Sequence, residues 1–137
     1  MTRYWLGVVS REHVRRAVGL GIAQVNHGRR TPLQRMQPGD GIVYYSPRER
    51  IRDGEPVKAF TAIGTLDDRE PWQADEGSFQ PWRRAVSYRR DAREAPVDDL
   101  RDRLELTASP KWGVMLRRGL LELSAHDYAV IAEAMTG

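Results

Sequence analysis

The sequence contains no cysteine, two lysines and three histidines among its 137 residues. Without thiols, neither a disulfide framework nor a thiolate metal site can form. The histidines His13, His27 and His126 are too far apart along the chain for a local metal-ligand motif. We therefore expect no metal centre, and nothing in the sequence points to a bound cofactor.

Long apolar runs are also missing. No window approaches the roughly 20 apolar residues that span a bilayer, and the start, MTRYWLGVVS, lacks the apolar stretch of a signal peptide. Repeats, low-complexity segments and linkers are absent, and the length suits one domain with a core of its own. We expect a single domain over residues 1–137 that is soluble, cytoplasmic and monomeric.

The usual catalytic motifs are missing as well. There is no GxSxG nucleophile elbow and no Walker loop, and GLGIAQ (residues 19–24) lacks the third glycine of a dinucleotide loop. Ser10, His27 and Asp40 can be combined into a triad, but nothing in their spacing prepares a proton relay. The sequence therefore favours a binding module over an enzyme.

Charge is plentiful but uneven. Twenty of the 22 basic residues are arginine, which codon usage in a GC-rich genome would explain. Residues 1–52 carry ten arginines against three acidic residues, so the whole formal excess of +3 comes from this part of the chain. The asymmetry indicates a polyanionic partner, with a merely solvated surface as the alternative.

The hydrophobic pattern predicts a small α+β domain. Ser10 stands at an N-cap position before a helix in REHVRRAVGL, and Ser124 and Asp127 have capping-box spacing before a C-terminal helix. The expected strands are YWLGVV, IAQVN, GIVYYS and VKAFTAIGTL as a hairpin, and WRRAVSYR. The segments APVDDLRDRLEL and PKWGVMLRRGLLEL are predicted as short helices or turns. About five or six strands with helices at both ends suggest a curled sheet or small barrel.

One segment between the expected strands has no periodicity. Residues 67–81, DDREPWQADEGSFQP, are rich in turn formers and are predicted to form a long loop. The loop nevertheless contains Trp72 and Phe79, two large apolar side chains that need a reason to be there. The strand that follows carries Arg84 on its apolar face.

A polar run, QVNHGRRTP (residues 24–32), and a set of aromatic residues are the strongest signs of a binding site. Aromatic faces stack on nucleobases, and amide or imidazole groups read base edges. Trp5 and Tyr44, inside strands, are expected in the core, whereas Trp72 in its polar loop is harder to explain that way. His27 either takes part in recognition or pins its loop to a neighbouring strand.

Five segments, in one order, resemble the EVE domain family: YWLGVVSREHV, QVNHGRRTPLQRMQPGDGIVYYSP, FTAIGTL, FQPWRRAVSY and KWGVMLRRGLLELS. The resemblance covers essentially the whole chain. It implies the PUA-like superfold, a pseudo-barrel flanked by short helices that is related to the YTH readers of methylated adenine and to ASCH domains. It also implies binding of a nucleobase, in particular a modified base in DNA or RNA, extruded into an aromatic pocket.

The resemblance and the charge pattern together assign candidate site residues. The residues that the resemblance places in the base pocket are Ser10, Gln24, Asn26, His27, Tyr45, Ser46, Trp72, Arg84 and Trp112. The charge pattern suggests a phosphate-contacting rim, with a solvated face as the competing interpretation, formed by Arg11, Arg15, Arg29 and Arg30. The YTH cage draws an aromatic residue from the strand that here reads IAQVN, so a complete methyl-binding cage is not expected.

Two other functions stay open. Some ASCH relatives hydrolyse amide bonds of modified nucleosides with a lysine, a threonine and an acid. The chain has only Lys58 and Lys111, and no acid is obviously paired with Lys58, so hydrolysis ranks behind binding. The remaining alternative is a protein-interaction module with a vestigial pocket.

Overall fold

The computed structural model describes residues 2–24 and 29–137. Its strands are β1 (Tyr4–Val8), β2 (Ile22–Ala23), β3 (Gly41–Arg48), β4 (Pro56–Leu66), β5 (Trp72–Gln73), β6 (Trp82–Tyr88), β7 (Ala95–Pro96) and β8 (Leu120–Leu123). Its α-helices are α1 (Arg11–Leu20), α2 (Arg30–Gln34), α3 (Glu105–Ala108), α4 (Trp112–Met115) and α5 (Ala125–Thr136). Short 3-10 turns cover Val97–Asp99, Arg101–Arg103 and Leu116–Arg118.

Six strands form one curled sheet in the order β2-β6-β4-β3-β1-β8. The two-residue strands β5 and β7 pair with β6 and β4, respectively. β1 runs parallel to β3 and antiparallel to β8, while β3 and β4 form the expected antiparallel hairpin. The predicted α+β class, with about five or six strands in a curled sheet flanked by short helices, is therefore confirmed.

The two faces of the sheet pack against different cores, because successive residues of a strand point to opposite faces. On β3, Val43 and Tyr45 join a cluster that includes Ile131 of α5. Tyr44, between them, joins a second cluster that includes Val14 of α1. The helices α1 and α5 thus cover opposite faces of the central strands.

The segment PKWGVMLRRGLLEL, predicted as short helices or turns throughout, ends in strand β8 instead. Leu121 pairs with Leu6 of β1, and Leu120, Leu121 and Leu123 are all buried. Leucine favours helices in isolation, so propensity alone misleads here. Pairing with the edge of β1 decides the conformation, and that edge is far away in the sequence.

The C-terminal helix begins where predicted, but one capping partner differs. The Ser124 hydroxyl accepts a hydrogen bond from Asp127 N–H at 3.1 Å. In a capping box the acidic side chain would reach back to the N-cap backbone. The Asp127 carboxylate instead accepts hydrogen bonds from the backbone N–H groups of Glu105 and Leu106, at 2.8 and 2.9 Å. Asp127 therefore ties α5 to the N-terminus of α3.

Across residues 2–24 and 29–137, no helix combines the length and the apolar character needed to cross a bilayer. In the same stretches, no three histidine, aspartate or glutamate side chains come together in an arrangement that would hold a metal ion.

Candidate functional site

Residues 72–83 form a β-hairpin, which we call the β5–β6 hairpin. Its pairs, from base to tip, are Trp72 with Arg83, Gln73 with Trp82, Ala74 with Pro81, and Glu76 with Phe79. Gly77 at the tip has a φ of 77°, a conformation that glycine adopts without strain. The prediction of a long loop over residues 67–81 is therefore wrong from Trp72 onward. The hairpin leaves no local pattern, because Trp72 and Gln73 pair with Arg83 and Trp82, which belong to the strand that follows.

One face of the β5–β6 hairpin carries four large or charged side chains. Directly opposed residues of an antiparallel pair point to the same face, and this face recurs at every second residue. Trp72, Arg83, Glu76 and Phe79 therefore share one face, in agreement with the 2.9 Å ion pair between Arg83 and Glu76. Trp82, which alternates with them, packs against the core under α1.

A depression lies beside α1, between that helix, the end of β2 and the start of β6. The residues that line it, and define the α1 pocket, are Val9, His13, Val14, Arg16, Ala17, Leu20, Ile22, Gln24, Tyr44 and Arg83. Its empty volume is about 340 Å³ with the open mouth included, but the interior leaves only about 20 Å³ for the centres of water molecules. About 10–15 Å³ by that measure is enough for one water. The pocket thus suits a water as it stands, and a ligand as large as a base requires the pocket itself to widen.

A row of three side chains crosses β2, β6 and β5 at the α1 pocket. Ala23 pairs with Arg84, so Gln24 follows opposite Arg83, and Arg83 Nε donates a hydrogen bond to Gln24 Oε1 at 3.0 Å. Trp72 stands opposite Arg83 on its other side. The sheet therefore aligns an amide, a guanidinium group and an indole side by side, and we call these three residues the Gln24–Arg83–Trp72 row.

Glu76 bridges the mouth of the α1 pocket. Its carboxylate contacts Arg83 at 2.9 Å and also contacts Arg16 of α1. The hydrogen bond from Arg83 lowers the pKa of Glu76 below its ordinary value, although desolvation acts in the other direction. The carboxylate is thus charged at neutral pH and holds the β5–β6 hairpin to α1. Ion pairs near the surface each contribute only modestly to stability.

The wall of the α1 pocket contains a buried hydroxyl group that lacks a well-placed partner. Tyr44 is 1% exposed, and its hydroxyl makes no hydrogen bond of good geometry with any residue that the structure describes. Burial raises the pKa of Tyr44 to about 12, although weaker interactions with the Tyr88 hydroxyl and the Gln24 backbone act in the other direction. The phenol is therefore neutral at physiological pH, and a water or a polar ligand atom in the pocket would give it a better partner.

A second concavity lies on the other side of Val9, at the loop between β3 and β4. With its open mouth included it has an empty volume of about 590 Å³, and it is lined by Val8, Val9, Ser10, Pro47, Arg48, Arg50, Ile51 and Arg52. The buried Ser10 hydroxyl has no partner in the described part of the chain. The walls combine aliphatic side chains with three arginines and contain no aromatic ring on which a base would stack.

The structure places the predicted base-pocket residues in several different regions. Gln24 lines the α1 pocket, whereas Trp72 does not line it and pairs with Arg83, which does. Ser10 lines the second concavity. Asn26 and His27 lie outside the described residues.

Tyr45 and Trp112 lie on the opposite face of the sheet from the α1 pocket. Both pack into the core under α5, with their ring centres 6.3 Å apart in an edge-to-face arrangement. The guanidinium group of Arg101 sits 5.0 Å from the centre of the Trp112 ring. The structure therefore does not bring these two aromatic residues together with Trp72.

Ser46 and Arg84 are buried and make structural contacts. The hydroxyls of Ser46 and Thr61 are hydrogen-bonded at 2.8 Å across the β3–β4 hairpin. Arg84 is 3% exposed and donates to the carbonyl oxygen of Leu33 at 3.1 Å and to that of Met36. These carbonyls belong to the C-terminal end of α2 and the residues after it, where helical acceptors lack partners.

Two of the arginines predicted to contact phosphate are engaged by carboxylates. Arg11 donates hydrogen bonds to Glu49 and to Glu94, and the Glu49 hydrogen bond raises the pKa of Arg11. Arg15 lies 3.4 Å from the same Glu49 carboxylate. These ion pairs would have to be exchanged before either arginine bound a phosphate.

Other arginines near the β5–β6 hairpin pair with aromatic rings. The guanidinium group of Arg30 lies 4.7 Å from the centre of the Trp82 ring, and that of Arg69 lies 3.8 Å from the centre of the Trp72 ring. Within residues 2–24 and 29–137, Arg29, Arg30 and Arg69 form no ion pair with a carboxylate. All three are exposed and available to an anion.

Arg83 and Glu76 are the site residues that sequence reasoning missed. The signal for Arg83 was present in the alternation of β6, because Arg84 lies on the apolar face and its neighbour must point the other way. Glu76 carried no such signal, since its position depends on the pairing of the β5–β6 hairpin.

Comparisons with known proteins agree with one another. A family model described as the EVE domain matches residues 3–134. UPF0310 proteins from Renibacterium salmoninarum and Mesorhizobium japonicum are each 48% identical to the chain. These similarities cover 99% and 98% of this chain, and 97% and 93% of the two relatives.

Solved structures with the same fold come from distant organisms. A hypothetical protein from Leishmania major superposes with a TM-score of 0.61 at 16% identity, over 97% of this chain and 94% of that one. A Rhodopseudomonas palustris protein solved by NMR gives 0.57 at 16% identity, over 98% and 93%. At this level of identity the likeness shows the fold alone.

Proposed function

The chain belongs to the EVE domain family, which has a PUA-like fold, and on that premise we propose that it binds a nucleobase of DNA or RNA, in particular a modified base, in the α1 pocket. The observation that carries the proposal is the Gln24–Arg83–Trp72 row. The row aligns an amide and an indole on either side of Arg83, and Gln24 and Arg83 line the pocket.

The side chains around the α1 pocket suit base recognition. An indole face stacks on any base, with a gain of roughly 1–3 kcal/mol. Because Gln24 Oε1 accepts from Arg83, the amide NH2 group of Gln24 is left to donate to an acceptor on the base edge. The neutral hydroxyl of Tyr44 both donates and accepts, so it complements either kind of edge atom.

A base enters only when the mouth of the α1 pocket opens. The opening step is release of Glu76 from Arg16 and Arg83. That release leaves two guanidinium groups beside the pocket without an anion. A phosphate next to the bound base takes the place of the Glu76 carboxylate, so entry of the base and contact with the backbone are coupled.

We propose binding without turnover. Lys58 and Lys111 form no ion pair with any carboxylate in the described ranges. An amide hydrolase of the ASCH type needs a lysine, a threonine and an acid together. The residues around the α1 pocket include no lysine, which supports recognition rather than hydrolysis.

Replacing Trp72 with alanine should weaken nucleoside binding about 10- to 100-fold, because the stacking surface is removed. The measurement is calorimetric titration with 5-methylcytidine, 5-hydroxymethylcytidine, N6-methyladenosine, their deoxy forms and the unmodified nucleosides. Trp112→Ala is the matched control, since this tryptophan lies on the opposite face of the sheet; it should lower thermal stability and leave binding unchanged. The proposal is wrong if the wild-type protein binds neither any nucleoside in this panel nor a short oligonucleotide.

Replacing Arg69 with glutamine should reduce the salt dependence of oligonucleotide binding. Each lost phosphate contact lowers the slope of log K against log salt concentration by about one. Arg89→Gln is the control, because both oxygens of Asp91 already hold that guanidinium group. Fluorescence anisotropy at several salt concentrations gives the slopes. Equal slopes for wild type and Arg69→Gln would rule out a phosphate contact at this residue.

A further inference from the structure

We propose that Phe79, at the tip of the β5–β6 hairpin, is a wedge that enters the base stack of a duplex and fills the gap left by the base bound in the α1 pocket. The inference rests on the proposed function and specifies that the ligand is double-stranded. Only a paired and stacked duplex leaves a gap when one base is extruded.

The hairpin pairing places Phe79 at the mouth of the α1 pocket. Glu76 and Phe79 form the last bridge of the hairpin, so their side chains share a face with Cβ atoms about 4.5–5.5 Å apart. The Glu76 carboxylate touches Arg16 and Arg83, and both arginines line the pocket. The Phe79 ring is therefore one side chain away from the place where an extruded base would enter.

The tip that carries Phe79 is well supported. Glu76 N–H donates to the Phe79 carbonyl oxygen at 2.9 Å, and Gly77 N–H donates to Asp75 Oδ1 at 3.1 Å. A side chain held on an ordered turn loses little conformational freedom on insertion, which is what a wedge requires.

Phe79 is exposed at the tip of the hairpin. It is 44% exposed, although phenylalanine is normally a core residue. Leu20, which lines the α1 pocket, is also exposed, at 53%. A phenyl ring has about the thickness of the 3.4 Å step between stacked bases.

The charges around the β5–β6 hairpin favour a nucleic acid over a protein partner. Arg69 and Arg30 lie on the rings of Trp72 and Trp82, one on each face of the hairpin, without carboxylate partners in the described part of the chain. The carboxylate that pairs across from Phe79, that of Glu76, is itself bound by two arginines, Arg16 and Arg83.

The test compares duplex and single-stranded ligands for wild type and Phe79→Ala. The probes are DNA duplexes of about 15 base pairs and the matching single strands, with central 5-methylcytosine, 5-hydroxymethylcytosine or N6-methyladenine and a neighbouring 2-aminopurine that reports unstacking. Phe79→Ala should weaken duplex binding at least about tenfold and abolish the 2-aminopurine signal, while nucleoside and single-strand binding change less than about twofold. Phe79→Trp should retain duplex binding. Ile51→Ala, which removes another exposed apolar side chain (57% exposed) at the loop between β3 and β4, is the matched control and should have no effect.

Each other outcome counts against the wedge. If Phe79→Ala leaves duplex binding unchanged, or weakens duplex and single-strand binding equally, Phe79 does not act as a wedge while base binding itself stands. If the wild-type protein binds nucleosides and single strands but no duplex, the wedge is likewise overturned. If the wild type binds none of the probes, the proposed function fails first and the wedge fails with it.

Discussion

Replacing Asp40 with asparagine is expected to lower the free energy of unfolding by about 3 kcal/mol at pH 7. The carboxylate is 1% exposed and accepts hydrogen bonds from Arg3 N–H at 3.0 Å, Gln37 N–H at 2.9 Å and Trp5 Nε1 at 2.9 Å. Asparagine keeps the shape, but it removes the charge that strengthens these bonds and turns an NH2 group toward donors. Urea denaturation measures the loss. Asp53→Asn, at an exposed side chain, should change stability by less than about 0.5 kcal/mol.

The effect of Asp40→Asn should shrink in acid. Burial acts to raise the pKa of Asp40, but the hydrogen bonds from Gln37, Trp5 and Arg3 outweigh it and lower the pKa below its ordinary value. A carboxyl group with a lowered folded-state pKa contributes full stability above its unfolded pKa of roughly 3.9, and loses it as the pH falls through the folded value. The stability curves of wild type and variant should therefore converge below about pH 4. A constant difference between pH 7 and pH 3 would show that charge is not the cause.

Local sequence determines some elements of this fold and leaves others open. The β3 and β4 strands were predictable because each is long, β-rich and bounded by turn residues. The β5–β6 hairpin was not, because its first strand is two residues long and its turn at Gly77 lies among many other turn formers. In β8, leucines that favour a helix are held in a strand by pairing with β1. These elements depend on distant partners that no local pattern contains.

The candidate site likewise contains residues that the sequence could indicate and residues whose position depends on distant partners. Gln24 was assigned to a pocket by the family resemblance, and in the structure it lines the α1 pocket. Tyr44 and Tyr45 show what the sequence cannot predict. Adjacent strand residues point to opposite faces of the sheet, and the sequence does not say which face meets α1. The structure puts Tyr44 at the pocket and Tyr45 in the other core, with a shift in the β3–β4 register between them. Arg83 and Arg84 show the same ambiguity, with only Arg83 facing the pocket.

Replacing Asp127 with alanine should lower the free energy of unfolding by about 3 kcal/mol, because two charge-assisted hydrogen bonds are lost at once. The side chain is 2% exposed, and the N–H groups of Glu105 and Leu106 that it binds would lose their acceptor. Ser124→Ala is the comparison, because it removes only the N-cap bond within α5 and should cost about 1 kcal/mol.

The comparison between Asp127→Ala and Ser124→Ala separates two roles of one side chain. If Asp127 served only the first turn of α5, both variants would lose the same amount in urea denaturation, and the tie between α5 and α3 would carry no energy. A larger loss for Asp127→Ala shows that the tie stabilises the core on that face of the sheet. Because the α1 pocket lies on the opposite face, nucleoside binding by the folded variant should match that of wild type. A parallel loss of binding would show that the two faces of the sheet are energetically coupled.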